Sequence, residues 1–145
     1  MQKNDDKTEK TEIPGLEWRS NFVMQSGPRS YYVIENKGGG VTDIVYYPHE
    51  VKAEWYGLHI GQVDRLTFFG NQKTSIHGMF IDCRKESETL HKKIEMDFNP
   101  DPTKHLYIDR GIAHAISGLE NVTVRVESIW FISDNNPIMS WQMIL

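Results

Sequence analysis

The segments WYGLH at residues 55–59 and RGIAH at residues 110–114 decide the fold, because each carries a histidine two or three residues after a glycine on an extended, β-patterned run. Glycine lets the backbone turn without a Cβ clash, so each histidine can point into the space that the strands enclose. We therefore expect His59 and His114 to face a common pocket in an all-β structure.

The rest of the chain reads as short strands separated by turns. Residues 41–47, 75–82 and 122–132 are rich in β-branched and aromatic side chains, and Asn-Pro-Asp-Pro at residues 99–102 marks a turn. Short strands at this spacing, without helical segments between them, indicate a β-sandwich or β-barrel. The other strand candidates are residues 31–34, 58–69, 92–97, 105–108 and 113–117.

Length and local composition predict one domain with a short tail. The 145 residues are enough to bury a substantial core. Residues 1–12 are almost wholly charged or polar, so we expect a disordered tail there and one domain over residues 13–145. No run is long enough to span a bilayer and no signal-peptide core is present, so we expect a cytoplasmic protein without a membrane partner.

Charge and cysteine content exclude some classes of partner. The net charge of -4 and the isoelectric point near 5.8 disfavour nucleic-acid binding, because contact with phosphates needs a concentrated basic surface. Cys83 is the single cysteine, which excludes an intrachain disulfide and a cysteine-based metal cluster.

The last long strand candidate has two unlike faces. The valines at 122, 124 and 126 share one face, whereas Arg125 and Glu127 lie on the other. Two interpretations stay open for the charged face. It either contacts water, as in many antiparallel sheets, or lines the ligand cavity of a small barrel.

Three motifs, in order, resemble those of a known family. Residues 56–59 read Tyr-Gly-Leu-His, residues 81–87 read Ile-Asp-Cys-Arg-Lys-Glu-Ser, and residues 111–116 read Gly-Ile-Ala-His-Ala-Ile. They resemble the Arg-Gly-Leu-His, Val-Asp-Leu-Arg-x-x-Ser and Gly-Phe-Ala-His-Gly-Phe elements of the dTDP-4-dehydrorhamnose 3,5-epimerase branch of the cupin superfamily. Val-Lys-Ala at residues 51–53 and Gln-Val-Asp at residues 62–64 also resemble epimerase-related cupins.

This resemblance implies a cupin jelly-roll barrel, also called a double-stranded β-helix, that forms a homodimer. It implies an epimerase or ketoisomerase that acts on a dTDP-linked 4-keto-6-deoxy sugar by metal-independent proton transfer. The expected setting is the biosynthesis of a polysaccharide of the O-antigen or lipopolysaccharide type, or of another glycoconjugate. We expect a nucleotide-sugar ligand and no cofactor. The alternative is a catalytically silent cupin that only binds a sugar nucleotide.

The resemblance also implies roles for individual residues. His59 matches the family's catalytic base, a task that suits an imidazole because it titrates near neutral pH. Tyr56 stands where the family has an arginine, and Glu127 falls near its catalytic tyrosine, so we predict one of them as the acid. The predicted substrate-binding residues are His114, Arg110, Arg65, Gln62 and Arg125.

The residue that orients His59 is left open. The family's aspartate for this role falls at Gln142. Asp64 and Glu127 are the two alternatives that the sequence offers.

A bound metal is not expected from the sequence. Many cupins use a His-x-His pair, but Gly57 stands two residues before His59. His59, Gln62 and His114 would be a poor ligand set, because an amide is a weak metal ligand.

Other polar residues are predicted to be structural. Asp82 and Arg84 share one strand face near a turn, where an ion pair is expected. The histidines at 49, 77, 91 and 105 are expected on the surface.

Overall fold

A computed structural model describes residues 7–21, 23–24, 33–34, 41–130 and 140–144. Within these residues the chain forms thirteen strands and no helix, which confirms the predicted all-β class. Among them, no helix is long and apolar enough to cross a membrane. The strands are β1 (Thr8–Lys10), β2 (Leu16–Ser20), β3 (Val23–Met24), β4 (Val33–Ile34), β5 (Val41–Tyr47), β6 (Trp55–His59), β7 (Gln62–Phe69), β8 (Ile76–Asp82), β9 (Lys93–Phe98), β10 (Lys104–Ile108), β11 (Ile112–Ser117), β12 (Val122–Trp130) and β13 (Ser140–Ile144).

Two large antiparallel sheets make up most of the described structure. One has the order β1-β2-β10-β7-β12-β5, and the other has the order β13-β6-β11-β8-β9. Strands β3 and β4 form a separate pair. The strand predicted over residues 58–69 is in fact two strands, because the chain passes from one large sheet to the other at Ile60 and Gly61.

The hydrophobic core lies between the two large sheets. Leu66 and Phe68 of β7 and Val124 of β12 pack there against Phe80 of β8 and Ile112 of β11. Burying each such side chain contributes roughly 1.5–3 kcal/mol. The alternation of buried and half-buried residues along β8 is the pattern expected of a strand with one face on this core.

The amino-terminal part of the sheet begins before residue 13. Thr8–Lys10 pair with Glu17–Arg19 of β2, although a tail was predicted through Glu12. All three residues of β1 are exposed. Backbone hydrogen bonds to an edge strand do not require apolar side chains, so the polar composition did not reveal this strand.

Some predictions fall outside the described residues. The tail prediction for residues 1–6 does so. So does half of the strand predicted at residues 31–34, of which Val33–Ile34 is described as β4.

A buried carboxylate organises the turn after β8. Asp82 is fully buried and accepts hydrogen bonds from Arg84 Nε at 2.9 Å, Ser87 Oγ at 2.5 Å and Thr89 Oγ1 at 2.6 Å. Burial opposes ionisation, but these hydrogen bonds together outweigh it and hold the pKa of Asp82 well below its usual range. The predicted ion pair between Asp82 and Arg84 is confirmed.

We expect Asp82→Asn to lower the free energy of unfolding by about 3 kcal/mol, because the substitution removes the charge that Arg84, Ser87 and Thr89 bind. Since the folded pKa is depressed, this stabilisation is present above about pH 4 and is lost as the pH falls further. Urea unfolding at pH 7 and at pH 3 measures both effects.

The control for this experiment is Asp97→Asn, which alters an exposed ion pair with His77 and should change stability little. An Asp82→Asn protein within 0.5 kcal/mol of wild type, on the order of a neutral surface change, would show that the network does not stabilise the turn.

Candidate functional site

Three strands from the two large sheets bring His59, Asp64 and His114 together. His59 ends β6 and His114 lies in β11, both in the five-stranded sheet, whereas Asp64 lies in β7 of the six-stranded sheet. His114 pairs with Gly57, so His114 and His59 share one face of their sheet. The backbone N–H of Gly111 also donates to the His59 carbonyl at 2.7 Å, which ties the start of β11 to the end of β6.

The two imidazoles flank the same carboxylate oxygen. Asp64 Oδ2 lies 3.4 Å from His59 Nε2 and 3.7 Å from His114 Nε2. The ring centroids of the two histidines are 5.6 Å apart, with an interplanar angle of 45°. The expectation that these two histidines converge is therefore confirmed.

Asp64 is held from its other oxygen. Gln62 Nε2 donates to Oδ1 at 2.5 Å, and Ser128 Oγ donates to the same atom at 3.2 Å. Asp64 is buried, with only 4% of its surface exposed. Because Oδ1 is occupied, Oδ2 faces the histidines. Of the two carboxylates considered as partners for His59, the structure brings Asp64 to it.

His114 has a defined tautomer. Its Nδ1 lies 3.1 Å from the carbonyl oxygen of Ile112, which can only accept, so Nδ1 carries the proton. In the neutral ring Nε2 then presents a lone pair on the side of Asp64. Burial lowers the pKa of His114, and the nearby His59 lowers it slightly further, against the opposing effects of Asp64 and the Ile112 hydrogen bond.

A cavity of about 290 Å³ between the sheets reaches His114. Its walls are mainly apolar and include Trp55, Leu66, Phe68 and Val126. An apolar cavity with few polar groups is typical of small-molecule sites, and this volume lies near the lower end of their usual range of roughly 300–1,000 Å³. A single sugar ring is a ligand of suitable size.

Three predicted site residues lie on the outer face of the six-stranded sheet. Glu127 precedes Ser128 and Arg65 follows Asp64, and consecutive residues of a strand point to opposite faces. Arg65 Nη2 donates to Glu127 Oε2 at 3.1 Å, and Arg125 Nε lies 3.6 Å from Glu127 Oε1. The structure therefore places Glu127, predicted as the acid, and Arg65 and Arg125, predicted as substrate contacts, on the face that points away from the cavity.

The physical reason is the change of sheet at Ile60 and Gly61. Period two cannot be continued from β6 into β7 across it, so the sequence pattern does not fix the face of Arg65 relative to His59. The charged face of β12 was expected either to contact water or to line a ligand cavity, and it does neither. Glu127 is only 4% exposed, and it lies outside the cavity.

Tyr56 also lies away from the histidines. It stands three residues before His59 on β6, hence on the opposite face, and packs with Ala113 and Ala115. Its prediction as an alternative acid is corrected for this reason.

Gln62 and Arg110 have different outcomes. Gln62 is within the site as a donor to Asp64. Arg110 lies in the turn before β11 and lines a separate surface groove of about 390 Å³ with Ile60, Arg84 and Lys85.

Ser128 is a member of the site that sequence reasoning missed. The signal was present, because Ser128 continues the face of Val122, Val124 and Val126 as a polar residue. A buried polar side chain on an otherwise apolar face needs a hydrogen-bond partner, and here the partner is Asp64.

The stacked antiparallel sheets and the cavity between them define a cupin jelly-roll, as predicted. The dTDP-4-dehydrorhamnose 3,5-epimerase from Elizabethkingia anophelis superposes with a TM-score of 0.64 at 19% identity, over 92% of this chain and 79% of that one. The Legionella pneumophila dTDP-6-deoxy-D-glucose-3,5-epimerase in complex with dTDP-4-keto-L-rhamnose gives 0.67 at 12% identity, over 96% and 78%.

A dTDP sugar isomerase from Desulfovibrio desulfuricans gives a TM-score of 0.68 at 11% identity, over 90% of this chain and 85% of that one. These structures confirm, at the level of the fold, the predicted resemblance to the epimerase branch of the cupins. No family model matches the sequence, and no curated protein does.

His105 differs from its prediction as a surface residue. Its Nδ1 donates to Asn21 Oδ1 at 2.8 Å, and the Asn21 amide in turn donates to buried Thr67 on the outer face of the six-stranded sheet. Burial, followed by the charges of Arg65 and Arg19, lowers the pKa of His105 to about 4.

This shift makes stability depend on pH. Below about pH 6.5, His105 binds a proton in the unfolded chain but not in the folded protein. The free energy of unfolding is therefore highest above that pH and falls as the pH approaches 4. When the pH is lowered from 7 to 4.5, we expect the free energy of unfolding of His105→Gln to fall by up to about 2 kcal/mol less than that of wild type. Denaturant unfolding at both pH values measures the difference. Equal losses in the two proteins would show that His105 ionises freely in the folded state.

Proposed function

We propose that this protein binds a dTDP-linked 4-keto-6-deoxy sugar, with the sugar ring in the cavity beside His114, and isomerises it by proton transfer next to the ketone. The observation that carries the proposal is the pair of imidazoles on either side of one buried carboxylate, with one of the two, His114, lining the cavity. The fold likeness to sugar-nucleotide epimerases, one of them in complex with dTDP-4-keto-L-rhamnose, supports the substrate class.

His59 is the proposed base. The reaction begins with removal of a proton from the carbon beside the ketone, which leaves an enolate. In the tautomer that directs Nε2–H at Asp64, Nδ1 of His59 carries the lone pair that takes this proton. The resulting imidazolium is stabilised by the Asp64 charge, as the aspartate stabilises the histidine in hydrolytic triads. The 3.4 Å contact is longer than a good hydrogen bond, and we expect it to shorten around bound substrate.

His114 is the proposed second proton carrier, in place of Glu127 and Tyr56. It lines the cavity, so its ring can approach the ketone oxygen of a bound sugar. Because its pKa is lowered, the resting ring is neutral. Once Nε2 takes up a proton from solvent, the ring is a stronger acid than an exposed histidine and readily donates that proton to an enolate. Two proton carriers on neighbouring strands allow a proton to leave one carbon and return to the same or an adjacent atom.

Arg110 is the proposed contact for the diphosphate. Its groove contains two further cations, Arg84 and Lys85, and also Ile60, which follows His59 directly. Guanidinium groups suit this role because their planar set of donors matches phosphate oxygens. The proposed setting is cytoplasmic biosynthesis of a polysaccharide or glycoconjugate, with the protein acting as a homodimer.

A second candidate function is sugar-nucleotide binding without turnover. One observation favours it: both acids predicted from the sequence, Glu127 and Tyr56, lie outside the cavity. A pocket of this kind would deliver or sense the ligand rather than convert it.

The experiment that separates the two functions is solvent exchange. We expect the protein to incorporate deuterium from D₂O into dTDP-4-keto-6-deoxyglucose beside the ketone, and His59→Asn to slow exchange at least about 100-fold, since the base is lost. NMR or mass spectrometry follows the label. Tyr56→Phe is the matched control on the same strand and should retain exchange, because Tyr56 faces away.

Binding without exchange would support the silent pocket in place of the enzyme. Failure to bind the sugar nucleotide would contradict both functions. Equal exchange rates in His59→Asn and wild type would remove His59 from the mechanism.

Ser128 is expected to act by positioning Asp64. Ser128→Ala removes one of the two hydrogen bonds to Oδ1, so we expect kcat to fall about 10-fold, as when other residues that orient a catalytic ligand are removed, with KM nearly unchanged. The neighbouring Glu127→Gln lies on the opposite face and should keep kcat within about 3-fold, given that it does not touch the site. Steady-state kinetics on both variants tests the face assignment, and the reverse order of effects would contradict it.

A further inference from the structure

Three atoms that commonly bind metals converge at the site. One ring nitrogen from each of His59 and His114 and one carboxylate oxygen of Asp64 all lie within 4.8 Å of one another. Ligand atoms about 2.0–2.2 Å from a tetrahedral ion are roughly 3.3–3.6 Å apart. The measured separations of 3.4 and 3.7 Å from Asp64 Oδ2 to the two nitrogens are close to that geometry, so small side-chain movements would place all three atoms on one ion.

The hydrogen bond made by His114 also leaves its Nε2 available to a cation. The Nδ1–H of His114 is committed to the Ile112 carbonyl, which leaves the Nε2 lone pair of the neutral ring facing a carboxylate oxygen. Two electron-rich atoms at this distance repel each other unless a proton or a metal ion lies between them. A ring whose far nitrogen donates to a backbone carbonyl is the usual arrangement of a metal-bound histidine.

The hydrogen bonds of Asp64 also leave one of its oxygens available to a metal ion. Gln62 and Ser128 donate to Oδ1, which fixes the carboxylate plane and leaves Oδ2 for a ligand. A buried carboxylate needs a compensating cation, and within the described residues the ion pairs recorded for Asp64 are those with His59 and His114. A divalent ion would supply that charge without requiring either imidazole to be protonated.

We propose that His59, Asp64 and His114 bind one divalent transition metal ion of the Zn²⁺ class, with a remaining coordination position toward the cavity. Two imidazoles and one carboxylate favour Zn²⁺, Co²⁺ or Fe²⁺ over Mg²⁺, which prefers oxygen ligands. No metal was expected from the sequence because Gln62 was considered as the third ligand. In the structure the third group beside the two histidines is the carboxylate of Asp64.

This inference goes beyond the proposed function and competes with it for the same atoms. An ion on His59 Nε2 and Asp64 Oδ2 displaces the proton that links them, so the protein holds either a mobile proton or a metal at this point. Metal-loaded protein is then expected to show no solvent exchange, and metal-free protein carries the proton transfer.

Calorimetry with Zn²⁺ on protein that carries no polyhistidine tag, after chelator treatment and buffer exchange, tests the site directly. We expect one Zn²⁺ per chain, with micromolar or tighter affinity, no heat with Mg²⁺, and d–d absorption bands with Co²⁺. Asp64→Asn and His114→Gln should each weaken Zn²⁺ binding at least about 100-fold, because each removes a direct ligand.

The matched control is His77→Asn. His77 lies 2.7 Å from Asp97 and 3.9 Å from Glu95, so it is the competing imidazole and carboxylate group on the surface. Stoichiometry and affinity should be unchanged in this variant. A rise in melting temperature with Zn²⁺ in wild type, absent in the ligand variants, gives a second readout, and His59→Gln replaces Asp64→Asn if the latter does not fold.

The proposal is overturned if Zn²⁺ does not bind up to millimolar concentration, or if binding survives Asp64→Asn and is lost in His77→Asn. Neither readout requires turnover, so a failure of the metal site and a failure of the proposed isomerase are distinguishable.

Discussion

The contact between the Asp64 carboxylate and two imidazoles is the interaction on which the site depends. Asp64 stands on the six-stranded sheet and the histidines on the five-stranded sheet, so this contact spans the interior at one point. A charge in so buried a place is stable only when it is paired and hydrogen-bonded. Gln62 and Ser128 supply the hydrogen bonds. The pairing charge comes from a proton or a metal ion bound by the two imidazoles.

The barrel makes this contact possible through its connection at Ile60 and Gly61. The chain leaves β6 directly after His59 and reaches Asp64 in β7 five residues beyond it, having changed sheet. A short crossover of this kind turns two residues that are near in sequence into partners across the interior. His114 arrives from β11, which is fixed against β6 by its pairing and by the Gly111 hydrogen bond.

The outer face of the six-stranded sheet shows a different use of charge. Arg65, Arg125 and Glu127 form ion pairs there, and His105 and Asn21 are linked to Thr67 nearby. Of these residues, the sequence predicted Glu127 as the acid and Arg65 and Arg125 as substrate contacts. Their position shows that strand parity separates two polar environments within one sheet, one facing the cavity and the other facing outward.

The sequence was sufficient for the all-β class and the valine face of β12, which follow from local periodicity. It was also sufficient for the convergence of His59 and His114, which the glycines before them and the order of the motifs indicated. It was insufficient wherever the answer depended on a change of sheet. The face of Arg65 relative to His59 is one example, and the identity of Asp64 as the partner of His59 is another. The prediction for Tyr56 followed its position in the family motif. It did not take into account that Tyr56, three residues before His59 on one strand, points to the opposite face.

The most direct test of this account is the ¹⁵N NMR spectrum of the histidine rings in wild type and in Asp64→Asn. We predict that His114 has a protonated Nδ1 and that the Nε2 resonances of both His59 and His114 move when the Asp64 charge is removed, while those of His77 do not. If the resonances of either His59 or His114 stay unchanged, the carboxylate is not shared by the two rings and the central claim is contradicted.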